Sequence, residues 1–301
     1  AELLASEANV ASIAIIHTAF NMLCTLMLFP MTGLLEKLAC KLIPDGKEAE
    51  KIVSLDERLM QTPPIAIDRC RAVTKEMAAV SVNAVRTAID CLFDYSDEKV
   101  ASVKTYEDEA DKYEDILGTY LVNLSAYSMS GQDRTETAKL LHAIGDFERI
   151  SDHAVNIAES AVELKDKATV LSDEAVAELR VSTAAVTDIL TYATDAFSNN
   201  SVEIAARVEP LEQVIDRLRT KLRNRHIERM QNGDCTIEAG FIWSDLLTNL
   251  ERISDHCSNV AGCVIEMEHS ALDLHEYLHS VRDNDPEFGT LYESYKQKYS
   301  I

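Results

Sequence analysis

ERISDH stands at residues 148–153 and again at residues 251–256. The identity extends outward, to ERISDHAVNIAESAVE (148–163) against ERISDHCSNVAGCVIE (251–266), with nine of sixteen positions the same. Ile157/Val260 and Val162/Ile265 are conservative exchanges between the copies. A period of about one hundred residues is too long for a solenoid unit, so the pattern implies two copies of a small domain.

Composition says what those domains are made of. The chain has 301 residues with only nine Gly and six Pro, and it is rich in Ala, Leu, Glu and Asp, which points to long helices and no sheet. The net charge of −22 repels nucleic acid, excluding it as a main partner and making cations the natural small ones. Seven scattered cysteines without a CxxC pair read as small buried side chains in a reducing compartment. Residue 1 is Ala, with no basic leader, so the expectation is a segment of a longer chain rather than a signal peptide.

From Ala8 to Leu35 there is no charged residue. Val10–Phe29 supplies the ~20 apolar residues of a membrane helix, ended or kinked by Pro30. Lys37, Lys41, Lys47 and Lys51 follow, which predicts a cell-membrane protein whose residues after about 43 lie in the cytoplasm. His17 and Asn21, four apart inside the span, share a face that polar residues turn toward protein or a wet cavity. PDGKEAE (44–50) and TPP (62–64) break the chain. Beyond them the periodicity predicts six helices, over 65–95, 98–129, 133–167, 173–199, 201–231 and 236–270, separated by YSDE, SGQD, LSDE, SNNS and QNGD. The resulting organisation is all-α: a membrane segment (1–43), a linker (44–64), two tandem three-helix bundles (65–167 and 168–270), and a polar, less regular tail (271–301).

The charges are placed with the same regularity. Ile144, Phe147, Ser151, Ala154, Ala158 and Ala161 form the apolar stripe of the third helix. At about 100° per residue from Phe147, Glu148 and Asp152 fall near 100° and 140°, with Asn156 near 180°, on a face turned from the core. Glu251, Asp255 and Asn259 repeat this around Leu250. The second and fifth helices carry Asp111 with Asp115 and Glu212 with Asp216, at similar angles from Leu117 and Leu218. Like charges one turn apart cost each helix a few tenths of a kcal/mol. A bound hard cation (Mg, Ca, Mn or iron) offsets that cost, and two neighbouring helices present four carboxylates to it. The competing reading is a solvated acidic face, with Arg149–Asp152 and Arg252–Asp255 as simple ion pairs.

ERISDHAVNIAE and LERISDHCSNVA resemble the E-R-I-x-D-H-x-x-N-I-A signature in the third helix of each PhoU-type three-helix repeat, and the acidic pairs resemble that family's E(D)xxxD motifs. The resemblance covers about residues 65–270. It implies tandem three-helix bundles that bind multinuclear iron or other metal clusters and act in phosphate signalling or the regulation of phosphate transport. NVASIAIIHTAFNMLCTLMLFPM is similar to the last membrane helix of bacterial Na+/phosphate cotransporters, through His17, Phe20, Asn21 and Pro30. The Gln-Ser-Ser stretches that bind sodium and phosphate in those transporters are absent. The resemblance therefore implies a transport core and its Na+ site upstream of Ala1, and partners that include the membrane, that core, and phosphate or a phosphate-signalling protein.

Other chemistries find less support. EMEH (266–269) and EYLH (276–279) lie too close together for a di-iron bundle site. RLRTKLRNRH (217–226) is a salt-bridging solvated face, with docking to an acidic partner or headgroups as the alternative. His153 and His256 suit supporting or surface roles rather than direct ligation. No nucleophile–base constellation, phosphate-cradling loop or Cys/His metal set is visible, so no enzyme is expected. The sequence reads as the regulatory part of a sodium-dependent phosphate transporter; the alternatives are a free-standing metal-binding phosphate-signalling regulator and a plain helical interaction module.

Overall fold

The computed structural model describes residues 10–31, 55–268 and 286–301, and the chain divides into two units, Ala1–Ile52 and Val53–Ile301. Every regular element among the described residues is helical. In the first unit, helix α1 spans Val10–Leu28 and closes in a 3-10 turn, Phe29–Met31, around Pro30. No helix of the described residues is long and apolar enough to cross a membrane. This corrects the expected membrane helix and, with it, the cell-membrane location with the remainder in the cytoplasm. Pro30 falls in the 3-10 turn that follows α1. The apolar run of α1 is diluted by polar side chains that bond locally: Asn21 Nδ2 lies 3.2 Å from His17 Nδ1, and Thr18 and Thr25 donate to carbonyls four residues back. The lysines that oriented the span lie outside the described residues, as do PDGKEAE, EYLH and the tail up to residue 285.

The second unit opens with a 3-10 turn, Glu57–Gln61, tied down by Tyr120 Oη donating to the Asp56 carbonyl at 2.9 Å. Six long helices follow: α2 (Pro63–Phe93), α3 (Asp97–Leu124), α4 (Gly131–Asp166), α5 (Asp173–Asn199), α7 (Val208–Asn232) and α8 (Ile237–Glu268), with the short α6 (Val202–Ala205) between α5 and α7. The starts follow from local chemistry. Pro63 and Pro64 open α2, where a missing N–H costs nothing. Ser96, Ser130, Ser172 and Ser201 cap α3, α4, α5 and α6, and Ser130 forms a full capping box with Asp133. The predicted helix over 201–231 is broken at Ala206–Arg207. Pro210 cannot donate to residue 206 and its ring crowds that carbonyl, so the helix restarts at Val208 with proline in its first turn.

Helices α2, α3 and α4 pack on one another, as do α5, α7 and α8, and the two bundles meet mainly along α4 and α8, with α2 against α5. The stripe read from the sequence is the core: Ile144, Phe147, Ser151, Ala154, Ala158 and Ala161 are all buried. Phe147 crosses to the other bundle, meeting Phe197 edge-to-face at 5.4 Å. The tail holds a helix that the sequence reading did not anticipate, α9 (Pro286–Lys298), packed on α7. Tyr295 and Tyr299 are buried there; Tyr299 bonds Asp188 and Arg217 lies over the Tyr292 ring.

Candidate metal-binding seams and the inter-repeat clasp

Glu148 and Asp152 are positioned by α4, and Asp111 and Asp115 by α3, which packs against it. Both residues of the α4 pair are half-buried in the seam between the helices rather than on a free outer face. The angles explain this: a residue about 100–140° from the core centre of one helix flanks its neighbour. Asp111 and Asp115 are exposed at the seam's rim. The closest grouping is Glu107, Asp111 and Asp152, whose ligating oxygens all lie within 4.8 Å of one another. Glu107 was missed in the sequence, although it stands four residues before Asp111 at the same spacing that marked the other pairs. Burial, then Asp152 and Asp111, pushes the Glu148 carboxyl up to about 7. Burial and the neighbouring carboxylates also raise Asp111 and Glu107.

The seam between α7 and α8 gathers Glu212, Asp216, Glu251 and Asp255, and adds Glu209. Glu212 is pushed up to about 8 by burial first and then by Glu209, Asp255, Asp216 and Glu251. Asp255 is raised by burial and by Glu251. Here the chain supplies its own cation: Arg219 Nη1 lies 3.3 Å from Glu251 Oε1 and 3.9 Å from Asp216 Oδ1. Aligning DKYEDILGTYL (111–121) with EQVIDRLRTKL (212–222) puts Gly118 at the place of Arg219, so the first seam receives no guanidinium there. Glu251 keeps Oε2 buried without a hydrogen-bond partner. The donors of the first seam are carboxylate oxygens and fit a hard cation; among the described residues the second seam brings no three such oxygens that close together.

The rest of the signature does a different job. His256 Nδ1 lies 2.9 Å from Asp146 Oδ1, and Asn259 Nδ2 donates to the same oxygen at 3.1 Å. In mirror fashion His153 Nδ1 lies 2.9 Å from Asn249 Oδ1, and Asn156 Nδ2 donates to it at 3.2 Å. Asn249 uses its own Nδ2 on the Asp245 carbonyl, which fixes its oxygen as the acceptor. The imidazoles stack at 5.6 Å between α4 and α8. Each repeat's His and Asn thus grip the residue two before the signature Glu of the other repeat. Asn156 and Asn259 belong to this clasp, not to the seams. Arg252 stays exposed, 3.6 Å from Asp255, and Arg149 lines a polar cavity of about 480 Å³ with Asp146 and Asn259. The clasp was detectable only as a His-x-x-Asn spacing shared by both copies.

A family model described as the PhoU domain matches residues 74–161 and 183–264, more than half of the chain and one match in each repeat. The chain belongs to the PhoU domain family. Its relatives include the phosphate-specific transport system accessory protein PhoU homolog 1 of Thermotoga maritima, 29% identical over 142 residues, covering 47% of this chain and 60% of that one. The PhoU homolog of Pseudomonas aeruginosa is 25% identical over 215 residues, covering 70% and 87%. Crystal structures of PhoU from Pseudomonas aeruginosa and from Streptococcus pneumoniae share the fold, each with a TM-score of 0.63, at 23% and 17% identity. They cover 68% and 70% of this chain, and 97% and 99% of theirs. The tandem bundles expected from the resemblance are therefore a PhoU fold. His17 and Asn21 lie outside the PhoU matches, in the unit that holds α1.

Proposed function

We propose that this PhoU-domain protein regulates phosphate transport, working with components of a phosphate transport system and binding hard cations (iron, Mn, Mg or Ca) in its acidic seams. The observation that carries the reading is the first seam: oxygens of Glu107, Asp111 and Asp152 within 4.8 Å, beside a Glu148 carboxyl raised to about 7. An ion bound at ~2.0–2.4 Å from each oxygen would span such a set and offset the burial and the repulsion that raise Glu148. The relatives named for a phosphate-specific transport system support the regulatory role, and they favour it over the sodium-cotransporter reading. The half-buried carboxylates of the seams have no nucleophile beside a base, so the reading assigns them docking or sensing, not turnover.

Two measurements test it. Elemental analysis and thermal shift with Mn, Fe, Mg and Ca report binding by the full chain; Glu148→Ala with Asp152→Ala should remove it from the first seam and spare the second. No metal above background and no shift with any of these ions would remove the metal part. Phosphate uptake at low and high external phosphate is then compared in cells carrying the wild type or the protein neutralised at Glu148, Asp152, Glu251 and Asp255. Identical uptake curves would count against a regulatory role for the seams, and metal-dependent hydrolase turnover lost in the same variant would make the protein an enzyme.

A further inference from the structure

At the turn from α7 to α8, a different donor set comes together. Gly233, at φ 80°, closes α7 in a left-handed cap and turns the chain back on itself. Cys235 thereby returns over His226, nine residues earlier, with Sγ 3.8 Å from Nε2. Met230 follows His226 by one helical turn and shares its face. Across from them on α8 is Gly240, where an added Cβ would sit 2.8 Å from Met230 Sδ and 3.2 Å from His226 Nε2. The thioether and the ring nitrogen therefore both pack closely against residue 240, where only glycine fits without displacing them. His226 is only 4% exposed and its ring stacks on Trp243 at 5.7 Å. Burial, then the Arg229 charge, holds its imidazole below the ordinary range, so it is neutral and keeps a lone pair. Nδ1 has no protein partner, so no hydrogen bond commits the ring to the tautomer that would block Nε2. Arg229 itself is matched by Glu178 at 2.9 Å and Glu174 at 3.8 Å.

We infer that His226, Met230 and Cys235 form a binding site for a soft monovalent cation of the Cu(I) class. Thiolate and thioether select Cu(I), whereas the carboxylate seams select hard ions. The spacing suits the coordination: a nitrogen at ~2.0 Å and a sulfur at ~2.3 Å from one ion, held 3.8 Å apart, subtend about 120°, the angle of a trigonal centre. Cys235 opens on a cavity of about 600 Å³ that His226 also lines, which gives the ion a way in. Binding exchanges the thiol proton, released to solvent, for a metal–sulfur bond, and no electron is transferred. The single charges of thiolate and Cu(I) cancel in a half-buried place where an unpaired charge would be costly.

The test titrates the reduced full chain with Cu(I), without oxygen, against a coloured Cu(I) chelator, and reads the bound site by X-ray absorption. One equivalent is expected, with one nitrogen near 2.0 Å and two sulfurs near 2.3 Å. Cys235→Ser should abolish it, and the volume-conserving Met230→Leu should weaken it at least about tenfold without lowering the melting temperature. Gly240→Ala, which keeps all three donor residues but forces Met230 Sδ and His226 Nε2 to shift, should weaken it, while a Cys24→Ser, Cys40→Ser control leaves it intact. Cu(I) uptake that survives Cys235→Ser, or a preference for Zn(II) indifferent to Met230→Leu, would overturn the assignment.

Discussion

Glu148→Gln should make the metal-free protein more stable at neutral and alkaline pH. In the fold the Glu148 carboxyl is raised from 4.5 to about 7, chiefly by burial in the seam and then by Asp152 and Asp111. The folded state therefore holds a proton that the unfolded chain has released across that interval. Stability from this group is greatest below about 4.5, falls as pH rises toward 7, and stays low above it. At ~1.4 kcal/mol per tenfold change in proton affinity the interval has a ceiling of about 3.5 kcal/mol. Solvent at the half-buried seam and the coupling to Asp152 bring the expected gain of Glu148→Gln at pH 8 to about 1–2 kcal/mol. At pH 4.5 the variant should match the wild type. The assay is urea unfolding in the presence of a chelator, followed by circular dichroism at several pH values from 4.5 to 8. Adding the seam's cation should then reverse the order, stabilising the wild type more than the variant. Parallel pH profiles for the two proteins, with or without metal, would refute the argument that unrelieved charge in this seam governs its chemistry.

Phe147→Ala should cost about 3–5 kcal/mol, because a fully buried ring spanning both bundles is lost; a loss under ~1 kcal/mol by chemical denaturation would show that the bundles hold together without it. Gly233→Ala should cost about 1 kcal/mol, since its φ of 80° is strained for any residue with a Cβ, and thermal melts of the variant check it. Asp146→Asn should cost less than about 1 kcal/mol, since Asn249 performs the same task with an amide oxygen, whereas Asp146→Ala should cost ~2–3 kcal/mol by stranding His256 and Asn259. Equal losses for the two substitutions, measured by urea unfolding, would mean that charge and not hydrogen bonding holds the clasp.

Much of the bundle architecture was legible because its signals are local and periodic. The serines that cap α3 to α6 sit in the turn-rich breaks, and the apolar stripe of α4 is set by a period of 3.6. What escaped depends on partners far along the chain. Pro210 was absorbed into a long helix because periodicity outweighed one residue. Helix α9 looked irregular because its tyrosines have meaning only against α5 and α7. The acidic pairs were placed at the right angles but on a free surface, since a helical wheel does not say which flank a neighbour covers. Glu107 and Arg219, the residues that most distinguish the two seams, needed that neighbour to be seen. The membrane reading of 10–29 rested on its lack of charge; no helix among the described residues is long and apolar enough to cross a membrane, and the relatives are PhoU homologs.

The clasp between α4 and α8 gives the duplicated architecture a polarity. One imidazole faces a carboxylate and the other an amide, though the two grips are otherwise alike. A symmetric pair made of two first repeats would bring two aspartates to its joint, and a pair made of two second repeats would bring none. The single chain, with one of each, has a joint whose halves differ in charge. His256 and Asn259 share a carboxylate oxygen, whereas His153 and Asn156 share an amide oxygen. Duplication built the joint as a matched pair, and a single acid-for-amide difference turned it into one with a left and a right.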